Sequence, residues 1–413
     1  RSTPLHTLFP YTTLFRSRIG RKKARKLQNT GESDYMKKFI PLTLSFLLPL
    51  AFFSCASSKN AYPELKELSL HQKIGQLFVV RAESLDPSFP PEEVHQTYGR
   101  GVTKITPEIF DQYQNYPAGG IVLFGKNIIN PQQIKSLNQE IHNLNKIKPL
   151  IYVDEEGGIV SRVAKNPAFN LPTYTDMKTI GESGDVSEAY KTGSTIGAYL
   201  KEYDFDVDFA PVADVDSNPL NPIIGRRAFS SDPNIAAKMM LSFYKGLESQ
   251  GVKGCIKHFP GHGDTNTDSH GGYAESLKTW NQLKKCELIP FKKGIDSGVD
   301  MIMTAHITLP NVDHSLKPST LSKTLLQGKL RKELGYKGLI ISDAMEMGAI
   351  TKEYNPGEAA IQSILAGVDL ILIPYDYINT YQAVEEAVRQ GRIPEKRIDE
   401  SVIRILKYKN HIN

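Results

Sequence analysis

Residues 252–270 read VKGCIKHFPGHGDTNTDSH. The apolar, β-prone run Val252–Ile256, set off by glycines, reads as a buried strand that opens at Pro260–Gly261 into a polar loop. The fourteen positions from Lys257 to His270 hold three histidines, two aspartates and a lysine. A buried strand running into such a loop is the unit from which parallel α/β folds build their sites, at the carboxyl ends of the strands.

The same unit recurs along the chain. Further apolar strands are expected at the end of Leu68–Ala82, at Ala118–Phe124, Leu150–Asp154, Asp206–Pro211, Met301–His306, Leu339–Asp343 and Leu370–Ile373. Helices are expected at Pro131–Leu144, Val186–Tyr203, Pro233–Ser249, Leu277–Ser297, Ser322–Glu333 and around Gly357–Ala366, with more helix at the C-terminus. Residues 82–117 read as an extended loop with local helices. Near-continuous apolar strands imply burial on both faces, hence a parallel sheet. Eight such strand–helix units predict an α/β fold of the (β/α)8 TIM-barrel type, forming a single catalytic domain over residues 68–413. An open doubly wound sheet is the structural alternative, and the GxGxxG turn that would favour it is absent.

The front of the chain is of another kind. Residues 1–35 show neither amphipathic period nor apolar core and read as a non-native leader. From Met36, two lysines precede an apolar run from Phe39 to Phe53 and then Ser54–Cys55, so residues 36–54 read as a lipoprotein signal. On that reading Cys55 becomes the lipidated terminus, residues 55–67 form a tether, and the protein is an exported bacterial lipoprotein held at a membrane. An uncleaved anchor or a plain cleaved signal is the alternative. Ten of the 50 Lys/Arg and two of the 45 Asp/Glu lie in residues 1–54, which leaves 40 against 43 and a net charge of about −3 for the rest. A basic nucleic-acid surface is not indicated. With Cys55 set aside, Cys255 and Cys286 do not make a disulfide framework.

Polar residues gather at the strand ends: Asp154, His258, His306 and Asp343. A carboxylate fixed at Asp343 could attack an acetal carbon as a nucleophile, or cap the next helix. Asp268 and His270 could form an acid/base pair in which the carboxylate orients and stabilises a protonated imidazole, or could pin their loop by hydrogen bonds. His258 and His262 give an HxxxH spacing, but Pro260 and the glycines of that loop keep the two histidines off one helix face, and no metal site is expected. Asp154, Arg162, Arg227, Lys257 and His258 are candidates for holding sugar hydroxyls.

Taken together, the segments AspGluGluGlyGly from Asp154, IleGlyArgArgAlaPheSer from Ile224, KHFPGHG with AspSerHis, MetThrAlaHis and SerAspAlaMetGluMet resemble glycoside hydrolase family 3, in its single-barrel bacterial β-N-acetylhexosaminidase type. The resemblance implies Asp343 as nucleophile, His270 with Asp268 as acid/base dyad, and Asp154, Arg162, Arg227, Lys257 and His258 as ligands of the terminal sugar. It implies retaining hydrolysis of terminal β-linked N-acetylglucosamine, from peptidoglycan fragments or chito-oligosaccharides, without metal or nucleotide cofactor. The chain departs from the family pattern at Glu155, where glutamine is common, and in the insertion after the first strand. A phosphorylase acting on the same glycosides and a non-catalytic glycan-binding lipoprotein are the alternatives. The sequence does not indicate the oligomeric state.

Overall fold

A computed structural model describes residues 63–265 and 274–412. The expected dyad, Asp268 and His270, and the expected lipid-bearing Cys55 lie outside the described residues. All described residues belong to one unit, which spans Cys55–Asn413.

Eleven strands are formed among the described residues: β1 Phe78–Arg81, β2 Gly120–Leu123, β3 Leu150–Val153, β4 Val207–Asp208, β5 Lys253–Gly254, β6 Ile256–Phe259, β7 Ala274–Glu275, β8 Met301–Thr304, β9 Ile307–Thr308, β10 Leu339–Ser342 and β11 Ile371–Leu372. One parallel sheet runs β11–β1–β2–β3–β4–β5 and a second runs β10–β8–β6. Two seams join them. A parallel bridge pairs Val212 with Lys257, and another pairs Ile341 with Leu370. Backbone bonds from Cys255 N to Ala210 O (2.9 Å) and from Met345 N to Leu372 O (2.9 Å) extend the seams, so the sheet closes into a ring of eight staves with β5 and β6 sharing one. Every residue of β1, β2, β3, β6, β8 and β10 is buried. This burial on both faces is why the strands show no alternation of apolar and polar residues.

Helices wrap the ring where the sequence places them. Pro131–His142, Val186–Glu202, Pro233–Glu248 and Pro356–Ala366 start at Asn or Asp caps whose side chains accept backbone N–H bonds, three of them with proline at the first helical position. Two expected helices differ. The segment Leu277–Ser297 is broken into Trp280–Leu283 and Leu288–Asp296, because Pro290 fits only the first turn of a new helix. The helix expected from Ser322 starts at Thr324 and winds as a π-helix to Glu333, while Ser322 Oγ donates to Asp313. The expected strand Val252–His258 is likewise divided at Cys255, whose N–H serves both Asp208 O and Ala210 O as the chain crosses the seam.

At the amino end of the ring, the buried Lys409 of helix Glu395–Asn410 donates to Gln76 Oε1 (2.9 Å), Gly119 O (2.9 Å) and Lys148 O (2.8 Å). One side chain thereby ties the C-terminal helix to the Gln76 side chain before β1 and to the backbone entering β2 and β3.

Candidate active site

The carboxyl ends of the staves surround a cavity of about 450 Å³. Asp154, Arg162, Arg227, Lys257, His258 and Asp343 all line it. The structure therefore brings together six residues that are as far as 189 positions apart in sequence.

Asp154 and Lys257 follow from strand ends. Lys257 lies within β6, fully inside the ring, and its Nζ sits 2.6 Å from Asp154 Oδ1 and 2.7 Å from Glu156 Oε1. Glu156 also takes a two-pronged bond from Arg227, Nη2 at 2.6 Å and Nε at 2.9 Å. Burial works against a charged Glu156, but the adjacent Arg227 and Lys257 overcome it and hold the carboxyl well below the usual range. Burial likewise opposes the charge on Lys257, and Asp154 and Glu156 reverse the effect and raise its pKa. The result is a locked array in which Asp154, with a quarter of its side chain exposed, is left facing the cavity. The turn carrying it needs glycine. Gly158 has φ +87, and a Cβ there would stand 2.6 Å from Asp176 Cα.

His258 is oriented from behind. Its Nδ1 lies 2.7 Å from Oδ2 of the fully buried Asp214, whose Oδ1 accepts the His262 backbone N–H at 2.6 Å. Burial raises the Asp214 carboxyl, but His258, His262 and their hydrogen bonds outweigh it and the net shift is downward. With Nδ1 engaged, Nε2 is the ring nitrogen that can serve a ligand.

Asp343 ends β10. Its N–H bonds Thr304 O at 3.0 Å, and its Oδ1 accepts the Ala344 N–H at 2.8 Å. Burial disfavours its charge, yet His258, His306, that N–H and Lys257 together lower its pKa, so the group is a carboxylate at neutral pH. His306 does not line the cavity. It is buried behind the turn, with Nε2 3.0 Å from Ala344 O and Nδ1 2.9 Å from Thr320 Oγ1, where it braces the backbone that presents Asp343.

Glu155 stands outside the cavity as well. Its carboxylate is buried and accepts Ser161 Oγ (2.6 Å), Val163 N (2.8 Å), Ala164 N (3.0 Å) and Tyr199 Oη (2.9 Å), which moors the loop that carries Arg162. The departure from glutamine at this position thus concerns loop anchoring.

Sequence reasoning passed over several residues of the site. Glu156 and Glu346 lie inside quoted motifs but were not singled out. Asp214 stands six residues beyond β4, not at the strand end as Asp154 does, so the strand-end signal does not mark it. Arg81 at the end of β1 and His95 in the insertion carry no local signal.

The segment 266–273 is flanked by residues bound to one another: Asp264 Oδ2 accepts Ser276 Oγ at 2.6 Å, and Asp264 Oδ1 lies 2.8 Å from Lys278 Nζ. Among the described residues no group of three His, Cys, Asp or Glu is arranged to hold a metal ion.

A closed parallel barrel with ionised carboxylates and their cationic partners at the carboxyl ends of its strands defines the class: a (β/α)8 barrel with a pocket at the end where such folds build their sites. Residues 69–408 match the glycosyl hydrolase family 3 N-terminal domain, and the chain belongs to that family. It is 34% identical over 340 residues to a beta-hexosaminidase A of Pseudoalteromonas piscicida, covering 75% of this chain and 56% of the relative. To a beta-hexosaminidase of Neisseria meningitidis it is 33% identical over 296 residues, 71% of this chain and 80% of the relative. Among solved structures, a family 3 beta-N-acetylglucosaminidase from Paenibacillus superposes with a TM-score of 0.76 at 34% identity, covering 84% of this chain and 63% of that one. The chain thus spans little more than half the length of the first of these relatives.

Proposed function

We propose that this chain is a retaining glycoside hydrolase that removes terminal β-linked N-acetylglucosamine, with peptidoglycan fragments or chito-oligosaccharides as substrates. The observation that carries the reading is the Asp343 carboxylate, held ionised at the rim of β10 and facing a cavity whose other wall is the locked Asp154–Lys257–Glu156–Arg227 array. The beta-hexosaminidase names of the relatives agree with it.

In the first step Asp343 attacks the anomeric carbon and forms a glycosyl ester, while the protonated imidazole of His270 gives its proton to the departing glycosidic oxygen. In the second, water adds to the same carbon as His270 takes a proton from it, and Asp343 leaves as a carboxylate. Asp268 orients the imidazole and balances its charge. Asp154, Arg162, Arg227, Lys257 and His258 hold the terminal sugar.

D343A is expected to abolish turnover of an aryl N-acetyl-β-glucosaminide, and a fluorinated substrate analogue is expected to add one sugar mass to the wild-type peptide containing Asp343. Full activity in D343A would reject the assignment. The same assay run with inorganic phosphate separates the phosphorylase reading, since only phosphorolysis yields the sugar 1-phosphate.

We further propose that Cys55 carries a lipid that holds the enzyme at a membrane outside the cytoplasm. The described chain begins with helix Pro63–Glu67, whose Glu64 lies beside Lys148 and Lys409 at the amino end of the barrel. Seven residues stand between Cys55 and Pro63, eight Cα steps that reach at most ~28 Å. Loss of membrane association in C55A is the expected outcome.

A further inference from the structure

One wall of the cavity takes no part in the assignments above. On the arc of the ring opposite β3 and β6, Glu346 follows Asp343 on the same turn and lines the cavity together with Arg81, His95, Met347, Leu372 and Ile373. Glu346 is held from two sides. Arg81, at the end of β1, donates Nη2 to Oε1 (2.5 Å) and Nε to Oε2 (3.1 Å), and His95 Nδ1 bonds Oε2 as well. His95 is fixed in turn by Tyr375: its Nε2 lies 2.6 Å from Tyr375 O, and the two rings stack with centroids 4.5 Å apart.

A carboxylate has about four acceptor positions. Three of those on Glu346 are filled, and the one remaining is on Oε1. The side chain keeps 15% of its surface exposed, whereas Arg81 keeps 4%. Both groups line the cavity, and Glu346 presents the larger share of its side chain to it. Apolar groups flank it, since Met347, Leu372 and Ile373 are buried neighbours on the same wall. An acceptor beside a small apolar surface complements a secondary amide with a methyl group, N–H toward the oxygen and methyl toward the hydrocarbon. A bare hydroxyl satisfies only the first half.

We propose that Glu346, clamped by Arg81 and by His95 of the insertion after β1, is the specificity-determining residue for the acetamido group at C2 of the terminal sugar. The placement supports C2. Asp343 must reach C1, C2 is the neighbouring ring carbon, and the two carboxylates stand three residues apart on one turn, while Asp154, Lys257 and Arg227 occupy the far arc. The insertion is in this view part of the recognition apparatus, acting through His95 as a positioning residue.

The inference rests on the proposed N-acetylglucosaminidase reading and is tested by selectivity. The measurement is kcat/KM for two aryl glycosides with the same leaving group, the N-acetyl-β-glucosaminide and the β-glucoside, together with inhibition by free N-acetylglucosamine and glucose. In E346Q, which keeps the side chain's shape, the preference for the acetamido sugar over its hydroxyl counterpart is expected to fall about 10- to 100-fold in both readouts. H95N, which leaves the Arg81 pair in place, is expected to move the ratio the same way by a smaller factor. An equal loss on both sugars would overturn the inference and leave the reaction intact. Absence of turnover of either glycoside by the wild-type protein would instead overturn the underlying functional reading.

Discussion

Two buried carboxyl groups of the barrel behave in opposite ways, and their partners explain it. Glu156 has Arg227 and Lys257 on its oxygens and is kept ionised. Asp208, in β4, is dominated by burial: its Oδ1 accepts the Glu155 N–H at 2.9 Å, its Oδ2 has no partner, and its pKa is pushed far up. Their substitutions should therefore differ in sign. E156Q removes the counter-charge from two buried cations and is expected to destabilise the protein by about 3–5 kcal/mol in urea unfolding and to raise KM sharply, because Lys257 loses its alignment toward Asp154. D208N keeps an acceptor for the Glu155 N–H and removes the cost of an ionisable buried group. It is expected to raise the stability at neutral pH by on the order of 1 kcal/mol, and a loss there would show that Asp208 is ionised and paired.

Among the elements, the turn after β3 is the one that folding must get right. It carries Asp154, Glu156 and Arg162 on a loop of nine residues, moored from inside by Glu155 and made possible by Gly158 at a left-handed φ. In G158A the added methyl meets the backbone of Asp176 and the left-handed conformation is itself unfavourable. The variant is expected to lose about 2 kcal/mol of stability or more and most of its activity. A calorimetric scan with an activity assay checks both, and full activity would show that the turn can be rebuilt without this conformation. The element also shows why local sequence was a partial guide. AspGluGluGlyGly announced a polar turn, but which of its three acids faces the cavity depends on Arg227, Lys257 and Tyr199, all brought in from elsewhere.

For the whole molecule, the pocket sets the response to acid. Burial opposes the charge on Glu156, Asp214, Asp343 and Glu346, and in each the cationic or N–H partners prevail, so the folded pKa is depressed. In the window between folded and unfolded values the unfolded chain binds more protons. The stability these groups contribute is complete above the unfolded carboxylate range and is lost as pH falls through the depressed folded values. The melting temperature is expected to drop steeply below about pH 4, less steeply in E156Q, and an acid-insensitive wild-type melt would contradict the ionised array. At the other end of the barrel K409M would strand three acceptors on Gln76, Gly119 and Lys148, at a cost of about 2–4 kcal/mol, with kcat little changed because Lys409 is remote from the pocket. By itself the sequence determined the parallel barrel, since eight doubly buried apolar strands leave few other arrangements, and it marked Asp154, Lys257, His258 and Asp343, since strand ends are where such a fold exposes polar groups. Only the tertiary structure decided that Glu156 and Asp214 orient those groups, that Glu155 and His306 stand behind the wall, and that Arg81, His95 and Glu346 form a face of their own. Hydrogen-bond partners hundreds of residues apart are chosen by ring closure, and no local pattern of side chains encodes which staves will become neighbours.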